Sequence, residues 1–483
     1  MDKGDRFAVE ITDLSRNGEG IGRIGGMAVF VPNTIPGDRI MAEITEAKKS
    51  FARAKAAEIL APSPYRTAPF CSYEKDCGGC SLQKIKYDEQ LVVKRRWVQD
   101  ALSRIGSIAD PLVKETIAMD DPFRYRNKAQ FGVGRIGGHD KKLRGCNVGF
   151  NKNKSHEIIN CERCMIQSEA AECVAEAVRR WVKLSKVPVY DEKSGTGVIR
   201  QVTVKTAFGT GEVMVVLTAT ERRLPEIDYL KGEIVKELEA LSERINRAVR
   251  VSGVAMDENE DFGFYLESLI LHVNKKKGRT LDFGECITLA GQPTIRDYML
   301  GMEFEISPLS FYQVNPIQTE KLYAKVAEYA SLSGKEIVLD LYCGVGTIGL
   351  MLAGRAKRVL GIESIKSAVV DANRNAVLNG IVNAEFVCGK AEEELPKLLE
   401  QGVSPDVVIL DPPRSGCDPA LLDAVIAAAP ARIVYVSCDP ATLARDLKIL
   451  GEGGFAFVEA QPVDMFPHTG HVETVVLMSR VDK

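Results

Sequence analysis

From about residue 330 onward the chain repeats one unit, a short run of β-branched and apolar residues followed by a stretch with helical spacing. The strand-like runs are EIVLDLY (336–342), RVLGIE (358–363), AEFVCG (384–389), DVVILD (406–411), RIVYVSC (432–438), FAFVEAQPV (455–463) and TVVLMSR (474–480). Strands separated by helices pair in parallel through crossovers, and the helices must cover both faces of the sheet. The expectation is an α/β, doubly wound, Rossmann-like domain whose ligand site lies beyond the C-terminal ends of the strands.

The rest of the 483 residues has other patterns, as a chain too long for one ordinary domain should. The first sixty alternate apolar and polar residues in runs such as FAVEITDL and AVFVPNT, broken by NGEGIGRIGG and IPGD, which predicts a small β-barrel. APSPYRTAP reads as a linker, and YDEQLVVKRRWVQDALSRIG as an amphipathic helix that Gly106 can end. Residues 123–290 read as a mixed α+β, largely antiparallel domain with one helix, SEAAECVAEAVRRWVKLS. The expected domains are 1–62, 63–300 and 301–483.

Charge is uneven although the net is only −3. Residues 1–160 carry 27 Lys and Arg against 20 Asp and Glu, and the remainder 36 against 46, so an anionic polymer would meet the front half first. No run of eighteen apolar residues occurs and the start lacks the apolar stretch of a signal peptide, so a cytoplasmic protein is expected. Twelve cysteines in a reducing compartment favour metal or catalytic roles over disulfides where their spacing is informative.

Chemistry-bearing residues collect at the strand ends. The Gly-rich turn in DLYCGVG follows the first strand, and Glu363 ends the second, where a carboxylate can accept both hydroxyls of a ribose; together they suggest a nucleoside-bearing cofactor. Asp411 opens the rigid Asp-Pro-Pro-Arg turn. Cys438 ends the fifth strand just before a helix, whose N-terminus should favour the thiolate. FPHTGHVETVVLM brings His471 and Glu473 toward the same edge, and a thiolate with a nearby carboxylate suits covalent catalysis followed by proton abstraction.

These stretches carry a resemblance. SFYQVN (310–315), DLYCGVGTIGL, LDPPRSG, VSCDPATLARD and HVETVVL stand in the order and spacing of the RumA-type RNA (uracil-5-)-methyltransferases, and the N-terminus resembles their TRAM domain. The resemblance implies a class I methyltransferase fold using S-adenosylmethionine (SAM), with Gln313, Tyr342, Thr347, Glu363 and Asp411 on the cofactor, Cys438 as nucleophile and Glu473 as base. It implies RNA as partner, with 23S ribosomal RNA favoured over transfer RNA because TRAM domain and cluster occur together. Lys390 departs from the acidic residue usual in the family pattern.

CSYEKDCGGCSLQ places Cys71, Cys77 and Cys80 at C-x₅-C-x₂-C spacing, and INCERCMIQ adds Cys161 and Cys164. Three thiolates on one loop need a fourth ligand to close a tetrahedral site. The resemblance assigns Cys71, Cys77, Cys80 and Cys164 to a [4Fe–4S] cluster, with Cys161 the competing fourth ligand and a Cys₄ zinc site the physical rival. Arg124, Arg126 and Lys128 alternate in FRYRNKAQF and are expected to project from one strand face onto RNA phosphates.

Overall fold

The computed structural model describes residues 1–136, 145–252, 262–276 and 284–481. Strands β1 (Arg6–Leu14), β2 (Gly20–Ile24), β3 (Met27–Val31), β4 (Arg39–Ala47) and β5 (Phe51–Ala61) close a barrel in the order β1-β2-β3-β5-β4. Alternation decides its inside: Val9, Ile11, Val29, Val31, Ile40, Ile44 and Ala52 point inward and are buried. The IPGD turn presents Asp38, which accepts from the backbone N–H groups of Ile35 and Ser63 and pairs with Arg66 at 2.6 Å. Burial opposes ionisation of this carboxyl, but Arg66 and the two N–H groups hold it below its ordinary range. The linker is thereby tied to the barrel it leaves.

Helix α1 (Tyr87–Arg104) docks on the barrel through the Trp97 indole, which donates to the Leu14 carbonyl at 2.8 Å. The middle unit contains β6 (Lys128–Arg135), β7 (Cys146–Gly149), α2 (Glu169–Ser185), β8 (Ile199–Thr206), β9 (Glu212–Ala219), α3 (Ile227–Ser252), β10 (Tyr265–Val273) and β11 (Glu285–Gly291). Its sheet runs β11-β10-β9-β8-β6-β7, antiparallel except for β9 and β10. That parallel pair requires a crossover, and α3 supplies it. Here the expectation of a single helix fails: Leu230, Ile234, Leu238 and Leu241 are buried on one face of α3 at helical spacing.

A hairpin of β12 (Ile295–Met299) and β13 (Met302–Ile306) straddles residue 300. Its Ile295, Met299, Phe304 and Ile306 share one core with Met214 and Ile270 of the middle sheet and with Leu322 and Val338 beyond it. The middle and C-terminal units are therefore packed through a common apolar core.

The last unit comprises α4 (Pro316–Ala330), β14 (Ile337–Leu341), α5 (Thr347–Ala353), β15 (Arg358–Glu363), α6 (Lys366–Leu378), β16 (Ala384–Cys388), α7 (Ala391–Glu400), β17 (Val407–Leu410), α8 (Pro419–Ala428), β18 (Arg432–Ser437), α9 (Pro440–Glu452), β19 (Phe455–Val463) and β20 (Glu473–Arg480). The strand order is β16-β15-β14-β17-β18-β20-β19. β14 through β18 are parallel, as the alternation requires. β20 is antiparallel to both neighbours, because a loop rather than a crossover helix joins it to β19. This reversal brings the start of β20 to the edge where the parallel strands end. Among the described residues, no helix is long and apolar enough to cross a membrane.

Candidate active site

The order reverses between β14 and β17, and the ends of β14, β15, β17 and β18 carry Tyr342, Glu363, Asp411 and Cys438 around that crevice. The antiparallel register pairs Ser437 with Thr474, which sets Cys438 opposite Glu473 across adjoining strand ends. Two residues 35 positions apart are thus neighbours because β20 returns beside β18.

The expected helix-terminal activation of Cys438 is not what the structure shows. Asp439 caps α9, its carboxylate accepting from Ala441 N at 2.9 Å and Thr442 N at 3.5 Å, so the free N–H groups are already engaged by an anion. Burial and the Glu473 carboxylate push the Cys438 thiol up to about 11, against a smaller opposing effect of Arg414. With its pKa raised in this way the resting group at neutral pH is a thiol. Burial likewise pushes Glu473 up to about 8, with Asp411 adding to the shift and Arg414 opposing it, and burial alone pushes Asp411 up to about 7. Both carboxyls are poised near neutrality, where a group can act as a base.

The segment bearing Glu473 is held from several sides. Lys94 of α1, fully buried, donates to Asp464 at 2.5 Å and to the Phe466 carbonyl at 3.0 Å. Gln90 accepts from His468 N at 3.0 Å, and Leu82 N donates to the His468 carbonyl at 2.9 Å. Asn315, which ends SFYQVN and caps α4, donates to the Met465 carbonyl at 3.0 Å. The sequence reading missed Lys94, Gln90 and Asp464, whose pairing no local pattern signals.

On the other side, Tyr342 adopts a left-handed φ of 65° as the chain leaves β14 for the Gly-rich turn. Gly344 also has positive φ, and a side chain there would meet nothing within 4 Å, so its backbone faces open space. Its N–H donates to Glu363 at 3.2 Å, while the other Glu363 oxygen accepts from Ile365 N at 2.8 Å. The Tyr323 and Thr347 hydroxyls lie 3.0 Å apart, and Gln313 hydrogen-bonds the same tyrosine. Gln313 and Thr347 thus meet at Tyr323, Tyr342 packs toward α8 and α9, and Glu363 holds an accessible glycine backbone at the second strand end, which fits a nucleoside cofactor.

The cysteine loops converge beside this region. Cys80 and Cys164 pack together around Met119, Tyr125 and Ile166, the Cys161 thiol hydrogen-bonds Cys164, and Cys71 and Cys77 lie within electrostatic reach of Cys164. Among the described residues, however, no three His, Cys, Asp or Glu side chains stand in a geometry that could hold a metal ion. The expected centre is not seen as a formed site; what is seen is a set of neighbouring thiols whose donor chemistry suits a thiolate-bound metal group.

Arg124, Arg126 and Lys128 do not form the expected row on a strand. β6 begins only at Lys128, and Arg124 has a left-handed φ of 52°. Its guanidinium donates to the Cys164 carbonyl at 2.7 Å, to the Gln167 carbonyl at 3.1 Å and to the Glu172 carboxylate. Arg124 is therefore a strut beneath the Cys164 loop. Arg126 lies over the Phe466 ring at 6.0 Å, beside the segment that leads to Glu473. Lys128 is partly buried, which lowers its pKa.

Comparison with known proteins gives a consistent result. The model of the tRNA (uracil-5-)-methyltransferase family matches residues 295–481, and that of the TRAM domain residues 2–57. An uncharacterised RNA methyltransferase of Clostridium acetobutylicum is 44% identical over 100% of this chain and 98% of its own. One of Caldanaerobacter subterraneus is also 44% identical, over 99% of each. Among solved structures, the tRNA (uracil-54, C5)-methyltransferase of Pyrococcus abyssi, in complex with S-adenosyl-L-homocysteine, has 29% identity and a TM-score of 0.72, covering 98% of this chain and 100% of that one.

Proposed function

Because this chain belongs to the SAM-dependent RNA (uracil-5-)-methyltransferase family, we propose that it forms 5-methyluridine through a covalent adduct at Cys438, and that its substrate is 23S ribosomal RNA. The observation that carries the mechanism is the opposition of Cys438 and Glu473 at one sheet edge, with Asp411 and Arg414 beside them.

C5 of uracil is too weak a nucleophile to take a methyl group unaided. Addition of the Cys438 sulfur to C6, its thiol proton passing to solvent, moves an electron pair through C5 into the C4 carbonyl and makes C5 nucleophilic. Bound SAM supplies an electrophilic methyl group on sulfur. Once C5 carries that group it still holds its hydrogen; the Glu473 carboxylate removes it, the C5=C6 bond reforms, and the Cys438 sulfur leaves as thiolate. Arg414 favours the anionic forms of both groups. Gln313, Tyr342, Thr347, Glu363 and Asp411 are assigned to the cofactor on their positions around the crevice. Uracil C5 is inaccessible inside a paired helix, so the target lies in a loop or is flipped out.

Cys71, Cys77, Cys80 and Cys164 are assigned to a [4Fe–4S] cluster, supported by the convergence of these thiols and by the spacing of the first three. Such a cluster would anchor the loops that meet the Glu473 segment through the hydrogen bond from Leu82 to His468.

The ribosomal assignment rests on the pairing of TRAM domain and cysteine loop; the likeness to the Pyrococcus tRNA enzyme favours transfer RNA as the second reading. Mass mapping of 5-methyluridine in ribosomal and transfer RNA, from cells with and without the gene, decides between them. Loss from 23S RNA supports the first, loss from tRNA alone replaces it with the second, and no loss from either removes the uridine assignment.

A further inference from the structure

His471 has no role in the mechanism above, yet its Nδ1 is buried without a hydrogen-bond partner. Its ring packs edge-on against Phe466 at 5.9 Å, two residues from Glu473. Three guanidiniums from distant parts of the chain lie within electrostatic reach of it, as does Lys94, which is already paired with Asp464. Arg414 comes from the loop after β17, Arg16 from the barrel turn between β1 and β2, and Arg126 from the segment before β6.

The positions of two are fixed by packing. The Arg16 carbonyl rests against Gly470, where a side chain would collide with it, and its guanidinium reaches across to Asp439 at 2.8 Å. The barrel turn therefore spans from the residue before His471 to the residue after Cys438. Arg126 stacks at 6.0 Å over the same Phe466 ring that His471 touches. Among the described residues neither Arg126 nor Arg414 has a carboxylate within salt-bridge distance, and Arg16 has only Asp439.

Burial grades the charges: the Glu473 carboxyl is buried, Asp411, Arg16, Arg126 and a neutral His471 are half-buried, and Arg414 is exposed. A nucleotide has the complementary order, an uncharged base and an anionic phosphodiester. We propose that Arg16, Arg126, Arg414 and His471 form a subsite for a phosphodiester adjoining the target uridine, with Arg16 exchanging Asp439 for the phosphate and His471 donating its Nδ1–H to a phosphate oxygen. This site rests on the RNA reading above and makes the barrel part of the active site.

The test uses the shortest hairpin around the uridine that mapping identifies, with that uridine replaced by 5-fluorouridine. The C5 fluorine cannot leave as a proton, so the adduct persists and fixes the register. A single methylphosphonate then removes the charge from the 5′ or the 3′ phosphate of that nucleotide. Half-saturation of adduct formation should weaken by roughly tenfold or more for one of the two RNAs, as loss of charge-assisted hydrogen bonds implies. In the R16Q/R126Q enzyme the penalty should shrink by roughly threefold or more, the remainder coming from Arg414 and His471. A wild-type enzyme indifferent to both methylphosphonates overturns the subsite, as does an R16Q/R126Q enzyme that keeps the full penalty. If the wild type forms no adduct even with the unmodified phosphates, the covalent uridine reading fails as well.

Discussion

Elimination from the methylated adduct should depend steeply on pH, because the base proposed for it, Glu473, is a buried carboxyl. Burial and the neighbouring Asp411 raise Glu473 from an ordinary 4.5 to about 8, against the partial compensation of Arg414. The base form is then about one hundredth of the enzyme at pH 6 and about one tenth at pH 7, so the elimination rate should rise roughly tenfold over that interval and level off above pH 8. An ordinary carboxylate would give a flat profile across the range. Addition must be separated from elimination, since the Cys438 thiol, at about 11, also ionises more readily as pH rises. A double-mixing experiment does this: adduct is formed briefly, the pH is jumped, and its decay is followed on denaturing gels. A decay constant independent of pH between 6 and 9 would refute the assignment of Glu473 as a buried, raised-pKa base. The same shift carries a stability signature. The folded state binds more protons than the unfolded one between about 4.5 and 8, so this group makes stability fall as pH rises through that window, by up to the order of 5 kcal/mol. Thermal melts should accordingly show Glu473→Gln gaining stability relative to wild type as pH rises from 5 to 9.

Lys94→Ala, which leaves Asp464 buried and unpaired, should cost roughly 3–5 kcal/mol in denaturant unfolding, whereas Lys94→Met with Asp464→Leu should recover most of it. Equal losses in the single and double variants would show that the pair does more than neutralise itself. Protein purified without air should be brown with broad absorbance near ~400 nm; Cys164→Ala should abolish the colour and Cys161→Ala keep it, the reverse identifying Cys161 as the fourth ligand, and colourless protein with stoichiometric zinc removing the cluster. Replacing Arg126 and Lys128 by Ala should weaken RNA binding and flatten its salt dependence, while Arg124→Ala should instead lower stability through the Cys164 loop. An unchanged salt slope would place the RNA contacts elsewhere.

The parallel sheet was legible because strand–helix alternation admits few alternatives, and the strand-end positions of Tyr342, Glu363, Asp411 and Cys438 follow from it directly. The barrel was legible from alternation and its turns. The approach of Glu473 to the Cys438 edge was expected, but the antiparallel return of β20 that produces it was not, since it depends on residues 464–472 forming no helix. Helix α3 carried a readable apolar period that was overlooked among its charges. The Cys438 environment was misjudged because Asp439 can both cap a helix and repel a thiolate, and only the geometry shows which charges face the sulfur. Arg124 followed the expected alternation in sequence but turned inward at a left-handed residue. Arg16 with Asp439 and Lys94 with Asp464 join positions 423 and 370 residues apart, beyond the reach of any local pattern.

The covalent mechanism is tested most directly by incubating Glu473→Gln enzyme with SAM and its RNA, and analysing the product by denaturing electrophoresis and peptide mass spectrometry. The account predicts a stable protein–RNA adduct in which the peptide containing Cys438 carries a C5-methylated uridine, absent when Cys438 is also replaced by Ala. Free 5-methyluridine formed at the wild-type rate by Cys438→Ala, or an adduct mapped to another residue, would contradict it.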